Sequence, residues 1–168
     1  IEKIALTKIK GIGPKTSRQL LAYFGSLEEI FKCSKKQLSQ IPGIHKTSIE
    51  QLISKSYLDE AELEYRYIDK HQIDVLWFED PDYPSRLRHC EDAPLVLYKK
   101  GSCNLNNTKI VSIVGTRNAT SYGKRLTEEL IQQLKDLNVL VVSGLAYGID
   151  IYAHKASLQE KLETTAVL

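Results

Sequence analysis

Two short apolar runs, Ile110–Val114 and Val139–Val142, leave this chain few architectures, because each passes at once into a turn of small residues and then a helical pattern. Apolar runs this short, without polar alternation, read as strands covered on both faces, as in a parallel sheet. The turns are Gly115-Thr116-Arg117 and Ser143-Gly144-Leu145-Ala146-Tyr147-Gly148. After the first, Leu126, Leu130, Leu134 and Leu137 recur at helical spacing, with Thr120 or Ser121 as N-cap and an end near Asp136. Asp150 is a candidate cap for the second helix. Strand–turn–helix repeated twice is a βαβα unit. Such sheets bind ligands beyond the carboxyl ends of their strands, where helix-start amides favour anions.

The residues in those turns point to phosphate. Arg117 directly follows the first strand, and its guanidinium is a permanently charged fork suited to a phosphate oxygen. The alternative is an arginine paired with a nearby carboxylate such as Asp150. Lys124 and Arg125 fall in the first helical turn, where cations oppose the helix dipole, and Lys124 would stand beside Arg117. Lys155 on the next helix either joins them or is solvated. The glycines do not form G-x-G-x-x-G, which removes most support for a dehydrogenase. His154 reads as a satisfied, partly buried histidine. With no Ser–His–Asp order, paired carboxylates or activated cysteine, no catalytic constellation is expected and the chain reads as a non-enzyme.

Charge alone does not mark a nucleic-acid binder: the formal net charge is +2 and the pI about 8.4, so any such affinity must be local. Cys33, Cys90 and Cys103 lack C-x-x-C spacing, so reduced thiols in a cytoplasm are expected, with no metal and no cofactor. No apolar run approaches the ~20 residues that span a membrane. Thr164 to Leu168 reads as the start of a third strand, so a fragment of a longer protein is expected.

Residues 1–71 read as a helical domain. Pro14 opens a helix that Gly25 stops, Ser26 and Ser34 head short helices, and helices follow over about 45–54 and 57–71. Two turns repeat: Ile9-Lys10-Gly11-Ile12-Gly13-Pro14-Lys15-Thr16 and Ile41-Pro42-Gly43-Ile44-His45-Lys46-Thr47. Both resemble helix–hairpin–helix motifs, in which hairpin amides and a following lysine meet a DNA phosphate. That makes Gly11, Gly13, Lys15, Gly43 and Lys46 a secondary set, weaker in the second copy, where His45 replaces Gly13. The other reading is a pair of tight turns that only pack helices. Residues 72–108 join the parts. Ile73–Phe78 and Leu95–Tyr98 read as strands extending the sheet, with Pro81-Asp82-Tyr83-Pro84 a rigid turn and Trp77, Phe78 and Tyr83 packing between domains or stacking on bases.

Gly115-Thr116-Arg117, the string Ser143-Gly144-Leu145-Ala146-Tyr147-Gly148-Ile149-Asp150 with Ala153-His154, and the upstream Pro81 to Leu87, Ala93 to Tyr98 and Gly101 resemble the DprA (Smf) DNA-processing family. The resemblance covers about residues 80–158. It implies an α/β chain: a small sterile-alpha-motif-like helical domain (1–71), then the first part of an extended Rossmann-like parallel sheet (72–168). It also implies single-stranded DNA binding, protection of incoming DNA and loading of the RecA recombinase in natural transformation, with a single-strand-binding protein as a further partner and a homodimer in the full protein. Mapped here, Arg117, Lys124, Gly115, Thr116, Ser143, Gly144 and Tyr147 would hold DNA, the helical domain having a lesser role. Two other readings remain. A phosphoribohydrolase-like nucleotide enzyme would share the sheet and place a phosphate at the same turns. A helix–hairpin–helix protein would bind DNA through its helical domain alone.

Overall fold

The computed structural model describes residues 1–168, which divide into two compact units, Ile1–Lys100 and Gly101–Leu168. The division falls at 100/101, beyond the change in sequence character at 71/72, because the joining strands pack with the helices.

The first unit begins with six helices: α1 (Glu2–Thr7), α2 (Pro14–Phe24), α3 (Leu27–Lys32), α4 (Lys35–Leu38), α5 (Lys46–Ser54) and α6 (Leu58–Lys70). Their ends follow local chemistry. Pro14 supplies the fixed φ of a first helical residue, and Gly25 closes α2 at φ +83 with its N–H donating to Leu21 O. The Ser26 and Ser34 hydroxyls accept the Glu29 and Gln37 amides, the second as a complete capping box. Ile4, Leu6, Ile9, Ile12, Leu20, Ile30, Leu38, Ile41 and Leu52 form one core fed by both hairpin repeats.

Strands β1 (Asp74–Trp77) and β2 (Val96–Lys99) do not extend the parallel sheet. They pair with each other, antiparallel, Asp74 opposite Lys99 and Trp77 opposite Val96. The intervening turn and the single helical turn α7 (Ser85–Arg88) reverse the chain. Trp77, Leu95 and Val96 then join the helical core with Phe78 against it, so these aromatics pack inside the first unit. Tyr83 is fully buried, its hydroxyl donating to Pro94 O at 2.6 Å.

The second unit is β3 (Ile110–Ser112), α8 (Ser121–Leu134), β4 (Leu140–Ser143), α9 (Ile149–Gln159) and β5 (Glu163–Ala166), with one 3-10 turn after α8. The sheet is parallel in the order β3-β4-β5, Val111 opposite Val141 and Val141 opposite Thr164. α8 and α9 pack against each other and share one core with Ile113, Val139, Val141 and Leu162. The central strand is buried as expected, but β3 is not covered on both faces: Ser112 and Val114 are exposed. The leucine pattern marks the helix correctly but not its inner face. Thr127 and Ile131 are buried, whereas Leu126, Leu130 and Leu137 are exposed.

Candidate functional site

The two small-residue turns lie at the carboxyl ends of neighbouring strands, and five hydrogen bonds hold them in one floor. The Ser143 hydroxyl donates to Ile113 O at 2.6 Å. The Gly115 amide donates to Asp150 Oδ1 at 3.3 Å, and the Ile149 amide donates to Thr116 O at 3.1 Å. His154 Nε2 lies 2.6 Å from Gly144 O; a carbonyl only accepts, so Nε2 carries a hydrogen. Nδ1 meets the Thr164 hydroxyl at 2.7 Å, tying the second turn to β5.

The glycines are there because nothing larger fits. A Cβ on Gly115 would lie 2.7 Å from Ile149, and one on Gly144 2.7 Å from Asp150 Oδ2. Gly148 adopts φ +89, and a Cβ there would lie 2.1 Å from Thr116 O and 2.5 Å from Arg117 O. The second turn thus lies directly against the backbone of the first.

This geometry settles what Asp150 does. It is not the helix cap, which is Gly148, nor a partner of Arg117. The carboxylate is only 7% exposed and is engaged by the first turn's backbone. Arg117 is exposed and has no acidic partner, so the carboxylate-paired reading is overturned. No acceptor within the chain takes the amides of Thr116, Arg117, Leu145, Ala146 or Tyr147. What this end of the sheet offers is a free guanidinium beside unsatisfied N–H groups, an arrangement that takes anions.

The remaining predicted residues divide by unit. Thr120 caps α8, its hydroxyl accepting the Gly123 amide at 3.1 Å, so Lys124 sits in the first turn of α8. Ser143 is buried and its hydroxyl faces inward, so its contribution is to hold the turn. The Thr116 hydroxyl accepts the Asn118 amide, and Tyr147 projects outward at 84% exposure. Gly11, Gly13, Lys15, Gly43 and Lys46 lie in the first unit. Gly11 and Gly43 share φ +81, so the repeated turns have matching backbones. The first hairpin is tied into the fold: the Lys10 amide donates to Gln51 Oε1 at 2.9 Å and the Ser48 hydroxyl to Lys10 O at 2.8 Å. Lys15 pairs with Glu91 at 3.1 Å, while Lys46, in the copy read as weaker, has no ion pair. His154 is the satisfied, nearly buried histidine the sequence suggested, both ring nitrogens being bonded, whereas sequence reasoning missed the structural role of Asp150, for which a carboxylate one helical turn before that histidine was the available signal.

The fold thus defines a Rossmann-like α/β protein whose parallel sheet follows a tandem of helical hairpins. The chain belongs to the DNA recombination-mediator protein A family, whose model matches residues 74–168; residues 3–55 match a SAM-like helix-hairpin-helix tandem. Protein Smf of Synechocystis sp. is 33% identical over 98% of this chain and 42% of its own length. The DNA processing protein DprA of Bacillus subtilis is 36% identical over 73% of this chain and 40% of its own length. The X-ray structure of DNA processing protein A from Streptococcus pneumoniae superposes with a TM-score of 0.70 at 26% identity, covering 99% of this chain and 57% of that one. The chain therefore spans about two fifths of these two curated relatives. No helix is long and apolar enough to cross a membrane.

Proposed function

We propose that this chain binds single-stranded DNA as part of a recombination mediator, with Arg117 as the principal phosphate contact. The observation that carries the reading is the unpaired, exposed Arg117 beside free amides on two cross-stitched turns. Thr116, Gly115 and Gly144 set the backbone surface, Ser143 holds it from beneath, Lys124 adds charge, and Tyr147 offers an aromatic face on which a base can stack. Phosphate and stacking contacts of this kind ignore sequence, which suits a protein that must cover any incoming strand.

The family membership supports the wider role: protecting the strand and loading the RecA recombinase during natural transformation, in the cytoplasm, as a homodimer and alongside single-strand-binding protein. The chain acts by binding rather than catalysis. The helical unit makes at most a secondary DNA contact through Gly11, Gly13, Lys15, Gly43 and Lys46, since the first hairpin is engaged by Gln51 and Ser48 and Lys15 by Glu91.

Fluorescence anisotropy of a labelled oligo-dT strand, titrated with wild-type and Arg117→Glu protein against duplex DNA and mononucleotide competitors, tests this. Tight binding that resists the mononucleotide and is lost in Arg117→Glu is expected. Displacement by the mononucleotide would favour a nucleotide-binding enzyme. Binding indifferent to Arg117→Glu would move the site elsewhere, and Lys15→Glu with Lys46→Glu would then show whether the helical unit holds it.

A further inference from the structure

Two lysines from different helices converge on one tyrosine beside the stitched turns. Lys124 Nζ lies 4.8 Å from the centre of the Tyr152 ring and Lys155 Nζ 5.9 Å from it. Lys124 comes from the first turn of α8, and Tyr152 is one turn into α9, its amide donating to Gly148 O. The cluster therefore follows directly on Gly148, whose neighbour Ile149 bonds to Thr116, next to Arg117.

The ring's negative face attracts both ammonium groups and restricts where they sit. Neither lysine forms an ion pair, although Glu128 stands four residues from Lys124 on α8 and Glu160 caps the end of α9. Two like charges held on one ring repel, and an anion between them would relieve the repulsion. Farther along the same helix pair the charge changes sign: Glu128, Glu129 and Glu160 line the groove, and Arg125 pairs with Glu129 at 3.4 Å. The basic cluster is thus bounded on that side by acidic residues, which oppose a polyanion.

We propose that Lys124, Tyr152 and Lys155 form a second phosphate-binding subsite for single-stranded DNA, which keeps the strand at the first turn of α8 and the first two turns of α9 after it passes Arg117. The inference rests on the single-strand reading above and adds Tyr152 and Lys155 to it. Tyr152 is a positioning residue here: it holds the ammonium groups while they meet the phosphate.

Salt dependence is the discriminating readout, because each phosphate contact on a single strand contributes about 0.7 to the slope of log affinity against log salt. The full chain is titrated onto labelled oligo-dT of about 20 nucleotides, longer than a typical ~4–16-nucleotide site. Lys155→Gln, Lys155→Arg, Lys161→Gln and Arg117→Glu are compared with wild type. Lys161 is an exposed control at the opposite end of the sheet, just before β5. Lys155→Gln should lower the slope by about 0.7 and the affinity several-fold, Lys155→Arg should restore both, and Lys161→Gln should match wild type. If Lys155→Gln and Lys161→Gln behave alike while Arg117→Glu abolishes binding, the subsite is refuted and the Arg117 site stands. Binding that ignores Arg117→Glu refutes both.

Discussion

Gly148→Ala is the sharpest perturbation the second unit allows, because two independent costs fall on one methyl group. The first is conformational: at φ +89 and ψ -134, backbone that L-residues hardly adopt, a residue other than glycine costs about 1–3 kcal/mol. The second is steric. The new Cβ would sit 2.1 Å from Thr116 O and 2.5 Å from Arg117 O, whereas even a close C–H···O contact keeps about 3.3 Å, so the turns must part by about 1 Å. Both clashing atoms are backbone, so no side-chain rotation relieves them. Parting the turns also strains the Ile149 amide to Thr116 O bond, worth about 0.5–1.5 kcal/mol. Together these give a loss of about 3 kcal/mol, a fall of roughly 12–24 °C in the melting temperature of a unit this small. Gly101→Ala is the matched control, since Gly101 stands at φ +111 in the same unit with nothing within 4 Å of a Cβ, and bears only the conformational cost. Hydrogen exchange of peptides from α8, α9 and β4, followed against denaturant, reads the second unit by itself. A Gly148→Ala cost within about 0.5 kcal/mol of Gly101→Ala would refute the view that close backbone approach holds the turns together.

Two further outcomes follow from other contacts. Asp150→Ala should cost about 1–3 kcal/mol by stranding the Gly115 amide, and should make Gly144→Ala cheaper by about 1 kcal/mol, because the Cβ that met Asp150 Oδ2 at 2.7 Å then has space; a double-mutant cycle with no coupling would contradict this. In the first unit, burial would raise the Glu64 carboxyl, but hydrogen bonds from Lys8 and Tyr98, with the Lys8 charge, hold it below the usual carboxylate range. A lowered folded pKa stabilises above the unfolded value, near 4.3, and that share is lost as pH falls through the folded value. Burial, and then Glu64, push the Tyr98 phenol well up, which stabilises below the unfolded value, near 10, and is lost as pH rises through the folded one. The gap in urea midpoint between wild type and Glu64→Gln, followed by the single tryptophan, Trp77, should therefore close below about pH 4; a gap constant from neutral pH to pH 3 would disprove the assignment.

Much of this protein is legible in its sequence because the deciding interactions are local. Pro14, Gly25, Ser26, Ser34 and Thr120 act within one helical turn of where they stand, so helix limits can be read without knowing the fold. The branched runs before Gly115 and Ser143 specify strands, and the helices between them require a parallel crossover. What tertiary structure alone decided involves partners far apart in sequence. Whether Ile73–Phe78 extends the parallel sheet or pairs with Leu95–Tyr98 depends on which surface buries Trp77, and the helical core takes it. The leucine pattern of α8 could not reveal its inner face, because Thr127 carries its own acceptor, Gly123 O, and can be buried without loss. Asp150 and Arg117 carry opposite charges that sequence invites one to pair. Folding instead brings the Gly115 amide to the carboxylate, thirty-five residues away in the chain, and leaves the guanidinium exposed and unpaired.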